Sequence, residues 1–343
     1  MQAMVLHRWG KNLQLEDRAR PCVGAGEVQV RVKACGVGAT TLNILRGDLG
    51  KSQHHLPRIP GHEVTGEVVE VGEGVTRVAP HDRVLAYFYL NCGRCRFCLR
   101  GQEPLCRRLR GYVGLDIDGG YAQYVKLPAS NVLGFAKTIS FVEATAIGDA
   151  VATAYHVCHS RAQLKLGERV LIVGACGRVG VHLTQMAKLF GAEVIAVDTS
   201  EERLERVKAL GAEETIDAAA GPFEPVVKTL TRRRGVQVAV DLVGTSATLA
   251  SCANSLCAGG RLIVLTTFPN VTMSLSPVQC VLNELTVLGS KYASKRDVVE
   301  AGNLVRDGKI KPIVSQTVPL EQVEVLHERV RTHQVMGMGA IVL

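Results

Sequence analysis

Arg169-Val-Leu-Ile-Val173, Gly174-Ala-Cys-Gly-Arg-Val-Gly180, Val181-His-Leu-Thr-Gln-Met-Ala-Lys-Leu-Phe190 and Gly191-Ala-Glu-Val-Ile-Ala-Val-Asp198 form one unbroken stretch of the chain. The first five residues are β-branched or Leu and read as a buried strand. Glycines follow at 174, 177 and 180. Leu183, Met186, Ala187 and Phe190 then recur at helical spacing, and Val194–Val197 reads as a second strand ending in an acid. Strand, glycine turn, helix and acid-tipped strand make a dinucleotide-binding βαβ unit. Glycine permits a tight turn and close approach of a pyrophosphate, and the N–H groups at a helix start face that anion. Arg178 and Val179 lie inside the turn. Asp198 follows Gly180 at about the ~20 residues expected for a ribose-binding carboxylate. A carboxylate there accepts from the ribose 2′-OH and repels a 2′-phosphate, which argues for NAD over NADP. Arg203 lies one helical turn beyond, in reach of the ribose, and would soften that exclusion.

Working outward, strands and helices alternate after Arg169: Ala192–Val197, Glu201–Leu210, Val236–Val240, Ala247–Cys257 and Gly260–Leu265. That alternation predicts an α/β domain with a doubly wound parallel sheet. Before it, residues 1–133 carry many short alternating strands separated by turns, such as Val28, Val30 and Val32 within Glu27–Ala34 and the run Val64–Val71. They predict a barrel-like first domain. Ser140–Ala154 reads as a helix. Beyond about residue 289 come a helix at Arg296–Asp307, an extended run at Ile313–Val318, a helix at Leu320–Arg331 and a last strand at Ala340–Leu343.

Between the strands, Cys92, Cys95, Cys98 and Cys106 are spaced Cys-x2-Cys-x2-Cys-x7-Cys within residues 91–110. Four thiolates on one short loop suit tetrahedral zinc and leave no open position, so the site is structural. The chain has 11 cysteines, an odd number, and the other seven are scattered. That favours a metal site plus free thiols over a disulfide framework.

The 343 residues suggest two domains, and 47% hydrophobic content is ample for two cores. No apolar run is long enough to span a membrane. The first residues read as a strand and not as a signal peptide, so the expected location is the cytoplasm. The net charge of +8 is densest at Arg107-Arg108-Leu109-Arg110 and Arg232-Arg233-Arg234. With no recognition module beside it, this charge does not argue for nucleic acid. It reads as solvated surface, or as help in binding an anionic substrate.

Together, Gly61-His62-Glu63, the four-cysteine lobe, Gly119-Gly120-Tyr-Ala-Gln-Tyr124, Val170–Gly180 and Val194-Ile-Ala-Val-Asp198 resemble the zinc-containing medium-chain alcohol dehydrogenases over essentially the whole chain. The resemblance implies a GroES-like β-barrel catalytic domain (1–148 and 290–343), a Rossmann NAD-binding domain (149–289), a cleft between them and a homodimer or homotetramer. It also implies hydride transfer between NAD(H) and a small alcohol or carbonyl substrate. In such enzymes a catalytic zinc polarises the substrate oxygen. Its usual ligands map to Gly38, His62 and Asp149, with Glu63 adjacent. Aspartate occurs at the position of Asp149 in some secondary-alcohol dehydrogenases. Glycine offers no side-chain ligand at 38. Thr40 matches the proton-relaying hydroxyl, Thr41 replaces the acid that usually follows, Asn43 stands near the position where a histidine often completes the relay in that family, and Thr153 matches a nicotinamide contact. Cys35, His54-His55, His156 and His159 read as a buried thiol and as surface or helix-face histidines.

Ala34-Cys-Gly-Val-Gly38 also resembles the zinc-free quinone and enone reductases. Three functions follow. The first is an NAD-dependent alcohol dehydrogenase with an altered catalytic zinc site. The second is an NADH-dependent reductase of C=C bonds in enones or enoyl-CoA thioesters with structural zinc only. The third is a nucleotide-binding protein without catalysis.

Overall fold

The computed structural model describes residues 1–48, 56–266 and 270–343. His54, His55 and the end of the Ile44–Leu49 stretch lie outside them. Strands β1 (Gln2–Val5), β2 (Gln14–Asp17), β3 (Glu27–Val37), β4 (Glu63–Val71), β5 (Arg83–Ala86), β6 (Tyr124–Pro128) and β7 (Val132–Gly134) come first. Then follow β8 (Arg169–Val173), β9 (Glu193–Asp198), β10 (Glu214–Asp217), β11 (Val236–Asp241), β12 (Leu256–Val264) and β13 (Thr286–Gly289), with β14 (Val314–Pro319) and β15 (Met338–Val342) last. The chain divides into one unit of Met1–Ala152, Ala293–Gly308 and Pro312–Leu343, and a second of Thr153–Tyr292 and Lys309–Lys311.

In the first unit, β14, β15, β3, β4, β5 and β7 hydrogen-bond in that order, with β6 also on β3. Val28, Val30 and Val32 are buried while Arg31 is exposed, the alternation of a strand with one face on a core. The strand runs three residues past its expected end, to Val37, because Ala34, Cys35, Gly36 and Val37 pair with β15. Helix α1 (Ala39–Arg46) starts directly after Gly38. The C-terminal helix α2 (Val323–Arg331) buries Leu326 and His327.

The helix that begins at Phe141 is capped by Ser140, whose hydroxyl accepts from Glu143 N while the Glu143 carboxylate accepts from Ser140 N. It outruns its expected end at Ala154 and includes π turns at Ile147–Val151 and Val157–Arg161. Asp149 lies in the first of these and in the first unit. The unit boundaries fall at 152/153 and 292/293, beside the 148/149 and 289/290 that the family resemblance implies.

In the second unit the sheet order is β10-β9-β8-β11-β12-β13, parallel throughout. Val170, Leu171 and Ile172 of β8 and Val238, Ala239 and Val240 of β11 are essentially inaccessible. Continuous apolar runs are what central parallel strands need, since both faces are covered. Sequence reading passed over the helix Phe223–Leu230 and the strands β10 and β13. Among the described residues, no helix is long and apolar enough to cross a membrane.

Candidate functional site

The glycine turn belongs to the second unit. Gly174 has φ of 85°, a conformation that favours glycine. A Cβ on Gly180 would lie 2.4 Å from Gly174 O and 2.6 Å from Ala175 O, so the helix Gly180–Leu189 can start there only without a side chain. Asp198, at the end of β9, reaches back to the turn: Cys176 N donates to its Oδ2 at 2.8 Å, and Thr199 N donates to Oδ1 at 2.8 Å. Burial and the Asp198 charge push the Cys176 thiol up to about 12. Burial pulls the Arg178 guanidinium down to about 10 and the neighbouring His182 down to about 4. His182 Nδ1–H donates to Arg178 O at 2.7 Å, bracing the turn from inside the helix. Val179 caps that helix, Arg203 is half-buried beyond Asp198, and Thr153 is buried.

The four-cysteine lobe lies in the first unit. Cys95 Sγ is 3.6 Å from Cys98 Sγ and 3.9 Å from Cys106 Sγ, and Cys92 Sγ is 4.0 Å from Cys98 Sγ. Tetrahedral zinc with ~2.3 Å Zn–S bonds sets sulfur atoms about 3.8 Å apart, so the four thiols fit the ion. Backbone N–H groups of Cys98 and Arg107 lower the Cys95 thiol to about 6, favouring the thiolate. Burial raises Cys98 to about 11. A bound cation reverses that cost.

The third cluster, also in the first unit, brings together His62, Glu63 and Asp149, all buried. His62 Nε2 is 3.3 Å from Glu63 Oε1 and 3.3 Å from Asp149 Oδ2. One donor atom from each lies within 4.8 Å of the others. Glu63 opens β4, directly opposite Gly36 of β3. A Cβ on Gly36 would lie 1.9 Å from Glu63 Oε2, so that glycine makes room for the carboxylate. The Phe88 ring packs at 4.5 Å on the His62 ring. An imidazole and two carboxylates suit a divalent cation, without the thiolate that would give a softer, tighter set. Gly38 has extended backbone (φ −148°) as the cap of α1, and Cys35 is fully buried with its thiol pushed up by burial.

Thr40 is half-buried on α1. The Asn43 carbonyl accepts from Arg46 at 2.5 Å, so its amide oxygen is turned to that guanidinium. His159 is exposed and stacks on half-exposed Tyr155 at 5.1 Å. Sequence reading names Thr41 but not the two buried polar pairs that form near His62. Thr41 Oγ1 is 3.2 Å from His62 Nδ1, and Tyr121 OH is 3.2 Å from His327 Nε2. Tyr121 had appeared as part of a turn-and-strand motif, and no local pattern marked His327.

A parallel sheet with a glycine turn and an acid-tipped strand, on a chain whose other unit is a β-structure bearing a four-cysteine lobe, defines a medium-chain dehydrogenase/reductase. Residues 24–137 match the family model for the alcohol dehydrogenase GroES-like domain, and residues 179–307 match that for zinc-binding dehydrogenase. The chain is 36% identical over 338 residues to an alcohol dehydrogenase of Geobacillus stearothermophilus, covering 98% of both chains. It is 30% identical over 338 residues to an acryloyl-coenzyme A reductase of Metallosphaera sedula, again covering 98% of both. A crystal structure of an NAD-dependent alcohol dehydrogenase superposes with a TM-score of 0.93 at 33% identity, covering 100% of each chain. The chain therefore belongs to the NAD-dependent, zinc-binding alcohol dehydrogenase family and is an oxidoreductase of the alcohol dehydrogenase type acting on a small molecule.

Proposed function

We propose that the chain interconverts an alcohol and its carbonyl compound with NAD(H), using the first unit as catalytic domain and the second as cofactor domain. The observation that carries this reading is the convergence of His62, Glu63 and Asp149 on one buried point despite glycine at 38. A divalent cation held by His62, Glu63 and Asp149 would supply a Lewis acid for the substrate oxygen. A nicotinamide cofactor held by the glycine turn and Asp198 would supply the hydride donor or acceptor.

The residues do the rest. Gly174, Gly177, Arg178, Val179 and Gly180 receive the pyrophosphate, and Asp198 accepts from the ribose hydroxyls in place of the backbone N–H groups it now holds. Arg203 and Thr153 add ribose and nicotinamide contacts. Thr40 passes the hydroxyl proton: as the alcohol is oxidised its proton leaves through Oγ1, and in reduction the same oxygen returns one. Phe88, packed on His62, keeps water from that side of the site.

The thiolate-free donor set, and the similarity to an acryloyl-coenzyme A reductase, favour a second reading: hydride delivery to the C=C bond of an enone or enoyl thioester, with the carbonyl held by hydrogen bonds. A panel of ketones, enones and enoyl thioesters with NADH separates the two. Ketone turnover lost in His62→Ala supports the first reading. Enoyl turnover that survives His62→Ala replaces it with the second.

We also infer a homodimer. Val278, Val281 and Leu282 of helix Pro277–Leu282 are exposed, and β13 is an edge strand. An exposed strand edge with apolar neighbours favours pairing with a second copy. Sedimentation of Val281→Asp as a monomer would support this.

A further inference from the structure

Strand β5 ends at Ala86, which pairs with Val132 of β7. Tyr87-Phe88-Tyr89-Leu90 then leads into the four-cysteine lobe, and all four residues are buried. Buried backbone groups must find partners. The two edges of this segment find them in different ways. On one edge the chain that leaves the lobe supplies them: Val113 N donates to Phe88 O at 3.0 Å, Leu90 N donates to Gly111 O at 2.9 Å, and Arg110 N donates to Leu90 O at 3.0 Å. On the other edge stands a single residue. Asn131 O accepts from Tyr87 N at 2.7 Å, and Asn131 Nδ2 donates to Tyr87 O at 2.6 Å and to Tyr89 O at 2.8 Å. All of these residues belong to the first unit.

Tyr87 O and Tyr89 O face one edge, and Phe88 O and Leu90 O the other, as in an extended strand. The residues before β7 do not supply a strand for the first edge. Pro128 has no N–H, and Ala129–Asn131 form a short 3-10 turn. The side-chain amide of Asn131 takes the place of that strand. Its NH2 group carries two donors, one for each carbonyl, and its Oδ1 accepts from Ser130 Oγ at 3.3 Å. Asn131 is fully buried, and Lys295 Nζ donates to Ser130 O at 2.6 Å, tying down its neighbour. A carboxylate here would set lone pairs against both carbonyls, and an apolar side chain would leave them unpaired. Between the two clamped carbonyls sits Phe88, whose ring centroid lies 4.5 Å from that of His62 and 5.3 Å from that of Tyr112.

We propose that Asn131 is a positioning residue that holds Phe88 against His62 by clamping the backbone on either side of it, at Tyr87 O and Tyr89 O. Its effect on turnover rests on the reading of the His62 cluster given above, whereas its effect on the Phe88–His62 packing does not. Misplacing a group at a reaction site by about 1 Å can cost on the order of 10²-fold in rate.

The test uses full-length protein that keeps its four-cysteine zinc, with 13C-labelled histidine. Phe88→Leu sets the scale, because the difference between its His62 ring resonances and those of the wild type is the shift that the Phe88 ring causes. In Asn131→Ala the His62 resonances should move at least halfway toward their Phe88→Leu positions. Asn131→Ser, which keeps one donor, should move them by less. Both variants should retain one four-cysteine zinc per chain and lose at least tenfold in kcat/KM for the substrate that the panel identifies. Tyr87→Phe cuts the 2.9 Å bond from Tyr87 OH to Ala293 O and leaves both clamped carbonyls, so it should leave His62 in place. Folded Asn131→Ala or Asn131→Ser with unmoved His62 resonances would overturn the proposal, as would Phe88→Leu with no shift. If Asn131→Ala does not fold, Asn131→Ser decides alone. If the shifts appear but turnover is the same in His62→Ala, the reading of the His62 cluster fails and the positioning of Phe88 stands.

Discussion

The four-cysteine lobe and the His62 cluster are both candidate metal sites of the first unit, yet they are built in opposite ways. The lobe takes all its donors from one loop, Cys92 to Cys106, and its thiols are half-exposed. The His62 cluster joins a residue pair at the mouth of β4 to Asp149, 87 positions away in the chain, and everything in it is buried. Four soft thiolates close the first site completely, whereas one imidazole and two carboxylates leave the second open. A local site can be held by its ion alone. A dispersed one needs the fold to bring its ligands together.

The largest effect should come from breaking the local site. Cys98→Ala should lose one zinc per chain by atomic emission and lower the thermal midpoint strongly, because structural zinc contributes about 10–16 kcal/mol in small metal-folded domains. Next is Gly36→Ala. Its Cβ would strike Glu63 Oε2 at 1.9 Å, so the variant should lose the second ion, keep the first, and be about 1–3 kcal/mol less stable in urea unfolding. Gly38→Cys sharpens the contrast in the other direction. The extended backbone at 38 accepts a side chain, and a thiolate there should tighten Co2+ at the second site about tenfold and add a sulfur charge-transfer band. The smallest effect is expected from Asp198→Ala, which touches neither metal. Both ions should remain, while calorimetry shows NADH binding weakened about tenfold and the gap to NADPH narrowed.

The same contrast explains what was legible from sequence. The lobe and the glycine turn are contiguous motifs whose chemistry is written in spacing. His62 and Asp149 entered only through family resemblance, and their geometry needed the β3–β4 pairing that sets Gly36 against Glu63. Pro222 and Pro225 obscure the helix Phe223–Leu230 in the sequence. Both sit at or before the first turn, where the missing N–H costs nothing. Strand β13 is short and largely exposed, so it has no apolar run to betray it. The π turn that places Asp149 leaves no periodic signature at all.

Metal stoichiometry tests the central claim most directly. The wild-type chain, dialysed and analysed by atomic emission, should hold two divalent ions. His62→Ala and Asp149→Ala should each hold one, with Cys92, Cys95, Cys98 and Cys106 still filled. A wild type that holds a single ion, unchanged by either substitution, would contradict the account of the His62 cluster as a metal centre.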